Sequence, residues 1–87
     1  MRFEIGDIYL RGKYNSDFST LVKARRYIYR NVESKDLPIV ITKIDSKGNE
    51  EIAGYMKNGP VGTKIFYIWS DGWKWIVNKD GTLGKRF

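Results

Sequence analysis

The chain contains no histidine and no cysteine in its 87 residues, and each absence removes a class of chemistry. Without histidine it lacks the commonest acid/base group near neutral pH and the commonest metal ligand. Without cysteine it has no thiol nucleophile, no thiolate zinc site and no disulfide, so stability must come from packing and backbone hydrogen bonds. Long apolar runs are also missing. None in the first twenty residues reaches the seven or more of a signal-peptide core, and none anywhere approaches the roughly 18 of a spanning helix. The expectation is a cytoplasmic protein with no membrane partner.

Phosphate-cradling and metal-binding motifs are equally scarce. Neither Gly-x-x-x-x-Gly-Lys-Ser nor Gly-x-Gly-x-x-Gly occurs. Gly59-Pro60-Val61-Gly62 has the bare spacing of the KH-domain Gly-x-x-Gly loop, but that loop joins helices and this one leads into a strand. No Asp-x-Asp-x-Asp cluster is present, and Glu50-Glu51 sends successive side chains to opposite faces of a strand. No metal and no cofactor is expected, and the chain reads as a non-enzymatic binding module. One catalytic route survives the loss of histidine, since RNA cleavage can be driven by Lys, Arg and Tyr groups that stabilise charge. A ribonuclease toxin is therefore the third functional reading.

What the chain does have is positive charge and aromatic surface. Sixteen Lys and Arg against ten Asp and Glu give +6 at pH 7, with 41% hydrophobic and 15% aromatic residues. That composition suits one globular domain, residues 1 to 87, and polyanionic partners. The charge is not evenly spread. Residues 11 to 30 hold Arg11, Lys13, Lys23, Arg25, Arg26 and Arg30 against Asp17 alone, and the stretch from Lys74 adds Lys79, Lys85 and Arg86 against Asp80. A solvated basic surface that keeps the protein soluble accounts for the same numbers.

Residues 2 to 11 read as a first strand, its alternation slipping phase at Gly6-Asp7 as a bulge would make it. Gly6-Asp7-Ile8 resembles the first strand of many small SH3-like barrels, some toxins among them, over those ten residues. Residues 15 to 33 read as a helix capped by Ser16 or Asp17. Phe18, Leu21, Val22, Ile28, Tyr29 and Val32 form its apolar stripe, with Arg25 lodged in the middle. Tyr27 to Val32 also carries the bias of a strand. Residues 39 to 45 and 51 to 56 read as a strand pair about a turn at Gly48, and Asn58 to Gly62 as a loop. Residues 64 to 70 and 73 to 78 form the clearest hairpin, on an Asp71-Gly72 type I′ turn. Asp80-Gly81 starts a further turn before a short last strand or tail. The expected class is α+β, one helix packed on an antiparallel sheet of about five strands, or a small SH3-like β-barrel with a helical insertion.

Two constellations are candidates for binding. A two-residue turn pairs Ser70 with Trp73 and Ile68 with Trp75, so Phe66, Ile68, Trp73, Trp75 and Val77 face the core. Tyr67, Trp69 and Lys74 then share the other face, where unpaired bases can stack or a protein hot spot can form. Aromatic cross-strand pairs inside a covered sheet explain the same composition. On the helix, Lys23, Arg26 and Arg30 form a basic ridge flanked by Tyr27, suited to a phosphate backbone or simply solvated. Arg25 marks a helix edge that contacts a partner, and Arg11 and Lys13 extend the electropositive surface. The leading expectation is binding of nucleic acid or of a protein–nucleic acid complex. The alternative is a small phage-type inhibitor or accessory protein that docks through an acidic or nucleic-acid-binding protein surface on a host enzyme handling nucleic acid.

Overall fold

The computed structural model describes all residues, Met1–Phe87. Six strands form one antiparallel sheet in sequence order: β1 (Arg2–Ile5), β2 (Ile39–Ile44), β3 (Glu50–Asn58), β4 (Lys64–Ser70), β5 (Trp73–Val77) and β6 (Leu83–Arg86). The single α-helix, α1 (Leu21–Asn31), is inserted between β1 and β2. The class is α+β, with six strands where about five were expected. The sheet is open, since β1 and β6 stand at opposite edges and do not pair, so the barrel alternative is not the observed architecture.

The first strand is shorter than its pattern implies. Gly6 takes a φ of +79° after donating the last ladder bond to the Val40 carbonyl. Asp7 then caps a 3₁₀ turn (Ile8–Leu10) by accepting from the Tyr9 amide at 3.0 Å. The phase slip at Gly6-Asp7 is therefore the end of a strand, and no bulge occurs there. The sheet's register shifts lie elsewhere: in β3, where Ile41 pairs with Gly54 and Thr42 with Ile52, and in β6, where Trp75 pairs with Arg86 and Val77 with Leu83.

The helix also starts later than Ser16 or Asp17. Residues 16 to 18 are extended along the free edge of β1: the Phe3 amide donates to the Ser16 carbonyl, and the Phe18 amide to that of Met1. Edge pairing satisfies backbone groups that a helix there would have taken. The cap falls to Thr20, whose hydroxyl accepts from the Lys23 amide at 3.2 Å. The other end stops at Val32, which is extended, and the Lys64 ammonium donates to its carbonyl at 2.9 Å. A cation suits that terminus because unpaired carbonyls gather there. Burial lowers the pKa of the Lys64 ammonium below the usual lysine range. The strand reading of Tyr27 to Val32 is thereby set aside.

All ten core residues lie between the helix and one side of the sheet: Ala24, Ile28 and Val32 against Phe3, Ile5, Ile39, Ile41, Met56, Phe66 and Val77. Alternation along each strand sends the intervening residues to the opposite face, which no helix covers. No helix is long and apolar enough to cross a membrane.

Candidate functional site

The Asp71-Gly72 turn fixes the central geometry. Both residues have positive φ, +55° and +78°, as a type I′ turn requires, and Ser70 pairs with Trp73, Ile68 with Trp75 and Trp69 with Lys74. That register puts Phe66, Ile68 and Val77 on the helix side. Tyr67, Trp69 and Lys74 go to the open face. Trp73 and Trp75 share the core phase but lie at the strand end beyond the packed cluster. Trp73 is 42% exposed, and Trp75 is half-buried, its indole donating to the Ser70 carbonyl at 3.0 Å. The expectation that both are core residues is corrected accordingly. Their outer surface is covered by the Arg86 guanidinium, 4.3 Å from the Trp73 ring centre.

On the open face the sheet register assembles more than the hairpin. Tyr55 of β3 pairs with Tyr67, their ring centres 5.1 Å apart, and Trp69 lies 5.5 Å from Tyr55. Phe87 follows β6 and meets Tyr67 at 6.1 Å. The rings form one connected row, Trp69–Tyr55–Tyr67–Phe87, spanning β3 to β6. The Lys74 ammonium sits over it, 4.8 Å from Tyr67 and 5.6 Å from Phe87, and Lys85 is 5.5 Å from Phe87. Lys57 shares the face by alternation with Tyr55. No strand residue from Tyr55 to Arg86 is acidic. Trp69 and Phe87 remain 48% and 52% exposed.

Tyr67, Trp69 and Lys74 follow from the hairpin register, whereas Tyr55, Lys57, Lys85 and Phe87 do not. Tyr55 joins through a five-residue connection, and Phe87 through the 78–82 connection and backbone pairing with Lys74. The usable signal is alternation of Tyr55 with the buried Met56.

The basic ridge lies on the other side of the sheet. Arg25, Arg26 and Arg30 each donate Nε to a carbonyl of the β5–β6 turn: to Gly81 at 2.7 Å, Asp80 at 3.0 Å and Lys79 at 3.1 Å. Arg25 therefore interrupts the apolar stripe because it holds this turn, and the expectation of a partner-contacting helix edge gives way to an internal contact. Lys23 is exposed beside them. Tyr27 turns the other way, its hydroxyl accepting from the Asn15 amide at 2.9 Å. The aromatic row and the ridge are thus separated by the sheet.

Lys13 does not extend either surface. Its ammonium bonds Asp36 at 2.6 Å and Glu33 at 3.1 Å, which raises its own pKa and lowers both carboxyls below their usual range. Tyr14 completes the cluster, donating to Asp36 and accepting from the Glu33 amide, and its pKa is raised first by burial and then by the Asp36 bond. The cluster staples residues 13 and 14 to the segment before β2. Arg11 is exposed and forms no ion pair. No three carboxylates converge as a metal site would need.

Charge separates along the fold. The helix with Val32 and the segment from Lys64 to Phe87 carry nine Lys and Arg against two Asp; the remainder carries seven against eight. Comparison with known proteins found no matching family model, no matching curated protein and no matching solved structure.

Proposed function

We propose that this protein binds single-stranded nucleic acid on the open face of its sheet and performs no chemistry on it. The observation that carries this reading is the connected row Trp69–Tyr55–Tyr67–Phe87 with Lys74 above two of its rings, on a face without strand carboxylates from Tyr55 onward. Unpaired bases stack on such rings irrespective of sequence, while lysines beside them meet the phosphates. Duplex offers no free base faces, so the platform favours single strands.

Each stacked base contributes roughly 1 to 3 kcal/mol. Trp69→Ala and Tyr67→Ala are each expected to weaken binding of a short single-stranded oligonucleotide by about ten-fold to a hundred-fold. Lys47→Gln, in the β2–β3 turn, should leave it unchanged. Titration followed by fluorescence anisotropy at about 50 mM salt measures this, and equal affinity of Trp69→Ala and the parent protein would refute the platform.

A second reading has its own observation. Beyond Tyr55 the open face exposes Val40 (45%) and Ile52 (61%), and its strand cation there, Arg2, is paired with Glu4 at 3.0 Å. An open cleft of about 660 Å³ lies there, lined by Tyr9, Leu10, Pro38, Val40 and Tyr55, with Asp7 and Asp36 also contributing. Such a surface suits a protein partner, for example an enzyme that handles nucleic acid, as in an inhibitor or accessory factor. In that case a nuclease-treated lysate yields one stoichiometric partner that Val40→Asp releases and Trp69→Ala retains. Loss on Trp69→Ala alone would count against it.

A further inference from the structure

The arginines of α1 are held but not neutralised. Each spends its Nε on one carbonyl of residues 79 to 81, and no η nitrogen of the three has a protein hydrogen-bond partner. None of the four ion pairs involves them. Asp80, within the gripped turn, directs its carboxylate to the Thr82 amide and hydroxyl and acts on Arg26 only through space, without an ion-pair contact. Lys23 and Lys79 have no ion pair either. Arg26 and Arg30 stand one turn apart, about 6 Å along the axis, where like charges repel. Guanidinium groups fixed through Nε have already lost rotamer freedom, so an anion that reaches them meets ordered η donors not engaged by the protein. Planar forks with free η amines match phosphate oxygens in particular.

The edge strand β6 connects this ridge to the aromatic row. Its consecutive residues Lys85 and Arg86 point to opposite faces, Lys85 toward Phe87 on the open side and Arg86 onto Trp73 on the helix side. No seventh strand covers that edge. Cations therefore flank β6 on both sides: Lys74 and Lys85 on the open face, and on the helix side Arg86 on the strand and Arg26 and Arg30 on the turn that leads into it.

We propose that a single strand seated on the aromatic row crosses the β6 edge and continues on the helix side, its phosphates held by Arg86 and then by the η amines of Arg26 and Arg30. This rests on the single-strand reading of the open face and adds a second half to its track. The ligand class is a phosphodiester chain longer than the platform alone accommodates.

The experiment is a length series of thymidine oligonucleotides, from about four to about twelve nucleotides, titrated against the protein at several salt concentrations. Four rings hold about four bases, so a platform alone saturates near that length. With the crossing, affinity rises further to about eight to ten nucleotides. The salt slope steepens from about −2, for the three sheet lysines, to about −4 when three arginines join. Arg86→Gln, and Arg26→Gln with Arg30→Gln, should weaken ten-nucleotide binding about ten-fold and leave four-nucleotide binding unchanged. Trp69→Ala should weaken both lengths.

Because the helix arginines also hold the turn, Lys23→Gln with Lys79→Gln provides a check that leaves the grip intact. It is expected to lower affinity several-fold for the longer oligonucleotide only. Affinity that stays flat beyond four nucleotides, with Trp69→Ala still damaging, overturns the crossing and leaves the platform standing. Arginine and lysine variants that weaken both lengths equally overturn it too. Binding insensitive to Trp69→Ala at every length overturns the platform itself, and equal affinity for duplex of the same length overturns both.

Discussion

Gly81→Ala tests whether the arginine-gripped turn is packed against the helix as tightly as the structure requires. Gly81 is buried and has a φ of +88°, and an added Cβ would lie 2.9 Å from the Arg26 backbone nitrogen and closer still to the Val22 carbonyl oxygen. Both neighbours are helix backbone, so no side chain can swing aside. Left-handed backbone costs an alanine about 1 to 2 kcal/mol. Relieving the clash moves the turn off α1 and loosens three Arg-to-carbonyl bonds, each a net contribution of about 1 kcal/mol. The sum is about 4 to 5 kcal/mol, a large part of the roughly 5 to 15 kcal/mol of a small domain. Gly72→Ala is the matched control, since its φ is +78° with nothing within 4 Å of the added Cβ, and it should cost only the backbone part. Urea denaturation of both variants, followed by circular dichroism, gives the difference. Equal midpoints would show that the turn does not bear on the helix, and the ordered arginine ridge would lose its structural basis.

Phe66→Ala removes a ring only 1% exposed at the centre of the core and should cost about 3 to 5 kcal/mol, read as a lowered urea midpoint. The carboxyls of Glu33, Asp36, Asp45 and Asp80 all titrate below their usual values, chiefly through side-chain hydrogen bonds from Lys13, Lys13, Asn49 and Thr82 respectively. Lowered folded values mean stability that is complete above the ordinary carboxylate range near pH 4 and is lost as pH falls through them. Thermal melts should thus be flat from about pH 6 to 7 and fall below about pH 4, less steeply in Asp36→Asn; a melt independent of pH down to 3 would contradict these pairings. Replacing Tyr55, Tyr67 and Trp69 together by Thr should abolish oligonucleotide binding while the protein still melts cooperatively, and an unfolded triple variant would mean that the row is structural.

The β4–β5 hairpin is legible because a two-residue turn with Asp-Gly leaves one register, and one register decides both faces. Tyr67, Trp69 and Lys74 follow from it. Tyr55 and Phe87 depend on longer connections, residues 59 to 63 and 78 to 82, whose lengths do not dictate which residues oppose each other. The sixth strand has only one apolar strand residue, Leu83, and forms because β5 offers it an edge. At the amino end, local capping signals at Ser16 and Asp17 lose to pairing with β1, an interaction between segments that local propensity does not contain. Trp73 has the phase of a core residue, but phase gives direction and not depth. Arg25 is the opposite case: its anomaly in the apolar stripe is visible in the sequence, while its partner, the Gly81 carbonyl, is 56 residues away.

The uncovered face follows from size. Eleven helical residues make a rod about 16 Å long and about 10 Å wide, whereas six strands span about 24 Å across their spacings. One such helix cannot cover both faces, and the ten-residue core is complete on the side it does cover. A solvated antiparallel face ordinarily carries polar residues in alternation. Thr and Lys at the positions of Tyr55, Tyr67 and Trp69 would keep strand propensity or solubility without exposing rings. The aromatic pairs themselves contribute about 0.5 to 1.5 kcal/mol each, far less than the core. Folding therefore explains why this face is open but not why it is aromatic and cationic, and the proposed single-stranded ligand, with flat apolar faces and regularly spaced negative charge, would account for both.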